Sequence, residues 1–148
     1  LADGRADIAL LPEPNVTAVM MKNSQTRIAV DVNDEWKKTN GSELAMGCII
    51  AGKEFVDENE EAVDTFLKEY SESIDYVNNN VSEAAELVEK YGIMASSDAA
   101  VKAIPNCNIV YKEKDEMKTM LEAFYDVLYK ANPKSVGGEI PDTELYYD

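Results

Sequence analysis

Three apolar runs of strand length occur in the first third of the chain, and their spacing is the feature that most restricts its fold. The runs cover residues 6–11, 27–32 and 44–52. The second alternates apolar and polar residues with a period of two, whereas the other two are largely apolar, as in strands covered on both faces. A helical segment that opens at Pro14 separates the first two runs, and a short turn around Trp36 separates the last two. This alternation predicts an α/β fold with a short mixed sheet in its N-terminal part.

The rest of the chain carries apolar residues at helical spacing. The spacing predicts four helices, over about 57–80, 80–91, 96–104 and 115–130. Capping-box patterns are expected to start the first two helices at Asp57 and Asn80, and Gly92 is the expected stop of the second. The mixed-sheet part is therefore followed by a helical C-terminal half.

The chain is strongly acidic, with 29 Asp and Glu residues against 14 Lys and Arg residues and a net charge of −15 at pH 7. Residues 1–41 hold five basic and six acidic groups, so nearly all of the excess lies in residues 42–148. Such a field repels phosphate backbones, and the composition argues against a nucleic-acid partner. The acidic segment is interpreted either as a solvated surface or as a face that docks a basic protein.

The chain contains no histidine, the side chain that most often serves as general acid or base and as a metal ligand. Catalytic sites and zinc sites that depend on histidine therefore have no basis in this sequence. The glycine pair Gly137-Gly138 lacks the preceding strand and the following Lys-Ser/Thr that a phosphate loop requires. We therefore expect no catalytic residue, no metal, no cofactor and no enzyme activity.

One acidic run and two cysteines are the remaining candidates for metal binding or a disulfide. The run that starts at Asp31 offers alternating oxygen ligands, but an EF-hand requires glycine at its sixth position and glutamate at its twelfth. Trp36 and Ser42 stand there instead. Cys48 lies in an apolar run and is expected to be a small buried side chain. Its pairing with Cys107 stays open, because the sequence contains no distance between the two Cα atoms.

The turn Leu11–Asn15 is the strongest local candidate for a binding site. It follows an expected strand, and ligands of open α/β sheets lie outside the carboxyl ends of strands. It also opens a helix, whose N-terminus offers free N–H groups. Glu13 and Asn15 could bond a ligand there. A tight strand-to-helix turn without any ligand explains the same residues.

The passage from Gly4 to Pro14, which reads GRADIALLPEP, resembles a Gly-x-x-Asp…Glu-Pro passage of solute-binding proteins that serve ABC importers of the nitrate/sulfonate/taurine class. Two later landmarks of that family have counterparts in the same order, a short strand ending at Asp31 and the run from Ile49 to Asn59. The resemblance implies a two-lobed periplasmic-binding-protein type II fold. Residues 1–41 would form the end of the second lobe with its crossover, and residues 42–148 the C-terminal return into the first lobe.

The resemblance also implies where a solute would bind. One wall of the site would consist of Leu11, Glu13, Pro14 and Asn15, and Met46 and Gly47 would face it from the other lobe. Because Glu13 is negatively charged, it does not favour a bare anion such as nitrate or a sulfonate, and a cationic or amide-bearing solute is at least an equal candidate.

By resemblance, the chain is the C-terminal fragment of an extracytoplasmic solute-binding component that delivers a small molecule to the transmembrane permease subunits. The expected location is the periplasm or, for a lipid-anchored lipoprotein, the outer face of the cell membrane, with signal and anchor outside this chain. Such a fragment is expected to expose apolar sheet edges and to self-associate through them. The alternative function is an acidic protein-interaction module without a small-molecule ligand.

Overall fold

The computed structural model describes residues 1–147, and helices are the only regular secondary structure in that part of the chain. The α-helices are α1 (Asn15–Lys22), α2 (Val32–Asn40), α3 (Lys53–Glu58), α4 (Glu60–Asn79), α5 (Val81–Lys90), α6 (Ser97–Ala103) and α7 (Lys114–Ala131). Short 3₁₀ helices cover Ile104–Asn106, Pro133–Val136 and Thr143–Leu145. The helical C-terminal half is therefore confirmed, although its first predicted helix is divided into α3 and α4.

The predicted α/β fold is wrong, because none of the three predicted strands forms within residues 1–147. A strand exists only when its backbone groups pair with a neighbour, and an apolar run indicates an extended preference without supplying the partner. Ile8 and Leu10, in the middle of the first run, are 90% and 83% exposed. The runs are thus apolar segments without a covering layer. The periplasmic-binding-protein type II architecture and its mixed sheet are not the fold of this structure.

The chain forms two compact units, each assembled from two stretches of sequence. The first unit holds Leu1–Arg27 and Gly52–Tyr111. The second holds Ile28–Ala51 and the chain from Lys112 onward. The division predicted at residue 41 concerns the lobes of a longer protein and stays a prediction.

The core of the first unit lies where α5 packs against α6, and small side chains dominate it. Ala84, Ala85 and Ala100 are almost completely buried together with Ile104. Because alanine adds only a methyl group, the two helices approach closely and leave no room for a larger side chain. Half-buried residues surround this contact: Val77, Val81, Val88, Met94 and Ile109. Helix α4 packs on α5, and α1 packs on α6.

The loop between α5 and α6 lies between the residue predicted to end the first helix and the residue predicted to start the second. Gly92 has a positive φ of 69°, and its N–H donates to the carbonyl of Glu89 at 2.9 Å. Ser96 precedes α6, and its hydroxyl accepts the N–H of Ala99 at 3.4 Å. A left-handed glycine ends a helix and a serine caps the next one in the usual way. Both predicted boundaries are confirmed.

The capping box predicted at Asp57 is wrong, because Asp57 lies inside α3. The chain breaks at Asn59, whose side-chain amide donates to the carbonyl of Phe55 at 2.8 Å. Asn80 precedes α5 as predicted, but the capping box predicted there is also wrong, because its side chain makes no cap bond to α5 and its amide donates to the carbonyl of Tyr76 at 3.0 Å. In both places the amide satisfies a carbonyl at the end of the preceding helix, where intrahelical donors run out.

Helices α2 and α7 form the framework of the second unit. The carboxylate of Asp31 accepts the N–H of Asn33 at 2.9 Å and caps α2. From α2, the ring of Trp36 packs on Phe124 of α7 with centroids 5.5 Å apart. The indole N–H of Trp36 also donates to the hydroxyl of Ser42 at 3.3 Å. These contacts fix the end of α2 and the loop that follows it.

Two side chains attach the remaining parts of this unit to α7. Lys112 forms ion pairs with Glu43, at 3.8 Å, and with Glu116, and its hydrogen bond to Glu116 raises its pKa. Tyr146 is 9% exposed, and its hydroxyl has no hydrogen-bond partner within residues 1–147. Asp142 caps the short turn before it by accepting the N–H of Glu144 at 2.9 Å.

Candidate functional site

The predicted binding turn lies at the start of α1, and most of its polar groups already have partners. Pro14 precedes the first helical residue, Asn15, after a cis peptide bond from Glu13. The N–H of Asn15 donates to the carbonyl of Pro12 at 2.9 Å. The Oε2 atom of Glu13 accepts the N–H of Thr17 at 3.1 Å. The turn therefore has the geometry of a capped helix start.

The carboxylate of Glu13 has a structural role at this position. It satisfies an N–H group that the helix cannot pair internally, and its charge meets the positive end of the helix dipole. The donor residue Thr17 is buried, which shields the bond from water. The contact predicted between Glu13 and a ligand stays a prediction, but the same carboxylate is needed to cap α1.

Cys107 lies in the same unit, within electrostatic range of Glu13. Burial raises the pKa of the Cys107 thiol, and the negative charge of Glu13 raises it further. Both effects disfavour the thiolate, which is the reactive form of cysteine. Cys107 is thus held as a neutral thiol behind the turn.

An open hollow of about 370 Å³ lies beside the turn. It is lined by Leu1, Ala2, Asp3, Arg5, Ala9, Leu11 and Val19. Of the predicted site residues, only Leu11 lines it. Its volume lies at the lower end of the range of roughly 300–1,000 Å³ for small-molecule sites.

The polar groups of the hollow come from the N-terminal turn, which the sequence reasoning did not select. Arg5 pairs with Asp3 at 3.0 Å, and both side chains are exposed. Exposed ion pairs of this kind contribute little to stability, so Arg5 can exchange its partner for a ligand at small cost. The turn is held by Gly4, with a positive φ of 69°, and by the side-chain amide of Asn23, which donates to the carbonyl of Leu1 at 3.1 Å. Gly4 is the sequence feature from which Arg5 could have been selected as a candidate, because glycine marks a turn and a turn can expose the side chain that follows it.

Met46 and Gly47 belong to the second unit, whereas Leu11, Glu13, Pro14 and Asn15 lie together in the first. Met46 is exposed. An added Cβ at Gly47 would meet no atom within 4 Å, so no close packing requires glycine there. The predicted contact of these two residues with a solute stays a prediction.

No group of three or more Cys, Asp or Glu side chains converges as a metal site would require within residues 1–147. Both cysteines are free thiols, and Cys48 is exposed, so its expected burial is wrong. None of the helices described is both long and apolar enough to cross a membrane.

Comparisons of this chain with protein-family models, with curated proteins and with solved structures found no significant match.

Proposed function

We propose that this chain is part of the extracytoplasmic solute-binding component of an ABC importer, which binds a small molecule and delivers it to the permease. The observation that carries the proposal is the hollow beside the Leu11 turn, since it coincides with the passage on which the family resemblance rests. The proposal concerns function, and it does not require the sheet that the resemblance implied.

The lining of the hollow supports a particular class of solute. Ala9, Leu11 and Val19 provide an apolar wall, while Arg5 and Asp3 provide one positive and one negative group at the rim. A few polar groups that orient a ligand against an apolar surface are typical of small-molecule sites. The proposed solute is therefore a small zwitterion with an apolar part, whose carboxylate meets Arg5 and whose cation meets Asp3.

The experiment uses the full-length protein that contains these 148 residues. Its thermal unfolding is followed with a panel of amino acids and small amides, each added well above its expected dissociation constant. A ligand at 100 times its dissociation constant stabilises the folded state by about 2.7 kcal/mol, which raises the melting temperature by several degrees. A panel in which no compound raises the melting temperature would contradict the proposal.

An acidic interaction surface is a second candidate, and helix α4 carries the observation that favours it. Phe66 and Tyr70 stack on this helix with ring centroids 5.8 Å apart, and both remain exposed. Glu69 lies three residues from Phe66 on a helix with seven charged residues, six of them acidic. Exposed rings beside carboxylates can bind Lys and Arg side chains.

The test of this second candidate is a charge reversal. Replacement of Glu61, Glu69 and Glu83 by Lys should abolish binding of an Arg- and Lys-rich peptide measured by fluorescence anisotropy. Equal affinity of the wild type and the triple variant would remove this candidate.

A further inference from the structure

Asn23 joins two parts of the hollow that lie far apart in the sequence. One part is the turn Leu1–Arg5, which supplies four of the lining residues, and the other is α1, which supplies Val19. Asn23 follows the last residue of α1, and its N–H donates to the carbonyl of Val19 at 2.9 Å. Its side-chain amide donates to the carbonyl of Leu1 at 3.1 Å. One residue is therefore bonded to both parts.

The bond from the Asn23 side chain fixes this turn to the rest of the first unit. Within residues 1–147, it is the one hydrogen bond that links Leu1–Arg5 to another part of the chain. The other hydrogen bonds of the turn join its own residues. The side chain of Arg5 is 86% exposed, so packing does little to fix its direction. The position of its guanidinium therefore depends on the backbone of the turn.

The amide of Asn23 has a defined orientation, because its two ends bond to different groups. The Oδ1 atom accepts the N–H of Gln25 at 3.0 Å, while the Nδ2 atom donates to the carbonyl of Leu1. Exchanging the two atoms would set donor against donor at one end and acceptor against acceptor at the other. An aspartate at this position would keep the acceptor for Gln25 and lose the donor for Leu1. Asn23→Asp therefore removes the bond to the turn and keeps the bond within the loop after α1.

We propose that Asn23 is a positioning residue of the solute site, which holds the turn Leu1–Arg5 beside the hollow and so sets the place of the Arg5 guanidinium. A charged side chain binds a ligand at lower cost when it is already ordered. Without the bond from Asn23, the turn would open, and the solute would have to order it again on binding. This positioning role rests on the proposed function, whereas the bond between Asn23 and the turn does not.

The first experiment measures local opening of the turn without any ligand. Arg5 and Arg27 are the two arginines of residues 1–148, so an arginine-specific endoprotease cuts this part of the full-length protein at two places. The rate of each cut follows how often the chain around it opens. Asn23→Asp should speed cleavage after Arg5 by about fivefold, the order of change that one lost hydrogen bond causes. Cleavage after Arg27 should not change.

Two further variants control this experiment. Asn23→Ala also frees the N–H of Gln25, so it should speed cleavage after both arginines. Ser24→Asp adds the same charge at the next residue, which is exposed, and leaves the amide of Asn23 in place. It should be cut as the wild type is. Equal helical circular dichroism of all variants establishes that each is folded.

The second experiment measures binding of L-leucine by isothermal titration calorimetry. This probe combines a carboxylate and an ammonium group with an apolar side chain, as the lining of the hollow requires. Asn23→Asp should weaken its binding about fivefold, while the midpoint of urea unfolding stays that of the wild type, because an exposed turn opens locally without unfolding the unit. Ser24→Asp should bind as the wild type does. A purely structural role would instead lower the unfolding midpoint.

The two experiments separate failure of the bond from failure of the site. Equal cleavage after Arg5 in Asn23→Asp and the wild type would overturn the proposal whatever the protein binds. Faster cleavage with unchanged affinity for L-leucine would overturn the positioning role. A wild type that is cut as predicted but binds neither L-leucine nor any other amino acid would contradict the proposed function, and the positioning role would fall with it.

Discussion

The carboxylate of Glu89 accepts the backbone N–H of Ser97 at 2.7 Å and so joins the end of α5 to the start of α6. These two helices form the core of the first unit. Ser97 is the first residue of α6, whose N–H has no partner inside the helix. One side chain thus connects the polar loop to the apolar contact beneath it.

Acid should weaken the first unit through Glu89. Hydrogen bonds from the side chain of Ser97 and then from its backbone N–H hold the pKa of Glu89 below its usual range. As the pH falls, the Glu89 carboxyl takes up a proton in the unfolded chain at a higher pH than in the folded chain. The stabilisation is therefore fully present above the unfolded pKa of about 4.3, and it is lost as the pH falls through the lower pKa of the folded state. Urea unfolding followed by circular dichroism from neutral to acid pH should show the loss in the wild type and a smaller one in Glu89→Gln.

The control for this prediction is Glu86→Gln, which removes the same charge from α5 without touching Ser97. It should retain the acid dependence of the wild type. The prediction fails if Glu89→Gln and Glu86→Gln have the same acid dependence.

Overpacking should reveal how tightly α5 and α6 meet. Ala100 is completely buried between small neighbours, so Ala100→Leu should lower the free energy of unfolding by about 1–3 kcal/mol. Ala62→Leu, at an exposed position of α4, should change it by less than about 0.5 kcal/mol. Chemical unfolding measures both values, and equal effects would show that the alanine contact is not close-packed.

Removing the hydroxyl of Tyr146 should not destabilise the second unit. The hydroxyl is buried without a hydrogen-bond partner among residues 1–147, a state that costs free energy. Tyr146→Phe should therefore be as stable as the wild type or more stable by up to about 1 kcal/mol, and Tyr91→Phe, at an exposed ring, should be neutral. A loss of more than about 1 kcal/mol in Tyr146→Phe would reveal a partner for the hydroxyl.

The raised pKa of Tyr146 leads us to expect that the second unit loses stability at alkaline pH. Burial raises the pKa of Tyr146, and the negative charges of the Glu122 carboxylate and of the ionised Tyr125 phenol raise it further. As the pH rises, the phenol of Tyr146 ionises in the unfolded chain before it does in the folded chain. Its contribution to stability is therefore fully present below the unfolded pKa of about 10, and it is lost as the pH rises through the higher pKa of the folded state. Tyr146→Phe should lose less stability than the wild type over this range.

The two cysteines should differ in reactivity. Cys48 is exposed, whereas Cys107 is half-buried with a raised pKa. Iodoacetamide should therefore alkylate Cys48 well before Cys107 at slightly alkaline pH, measured by mass spectrometry. Faster alkylation of Cys107 would contradict the described surroundings of both thiols.

Boundaries set by short-range chemistry could be predicted from the sequence. Gly92 and Ser96 act through bonds within a few residues, and each lies at the predicted boundary. The strands could not be predicted in this way, because pairing depends on distant residues rather than on the apolar run itself. Glu13 shows a related difficulty, because a carboxylate beside a helix start suits a cap as well as a ligand.

The core was also only partly predictable. The apolar stripe of α4 predicts burial of Phe66 and Tyr70, yet both are exposed and only Ile74 of this helix is buried. The core instead consists largely of alanines such as Ala85 and Ala100. Alanine occurs on any helix face, so its burial depends on which helices meet, and periodicity does not contain that information.

The affinity of the full-length protein for its best-stabilising solute, measured by isothermal titration calorimetry, tests the proposed function most directly. Arg5 is to be compared with Arg27, an exposed arginine of the same unit that lies outside the hollow. We predict that Arg5→Ala weakens binding by about tenfold or more, because it removes a hydrogen bond from a charged group, while Arg27→Ala binds as the wild type does. Absence of binding by the wild type, or equal affinities of the two variants, would contradict it.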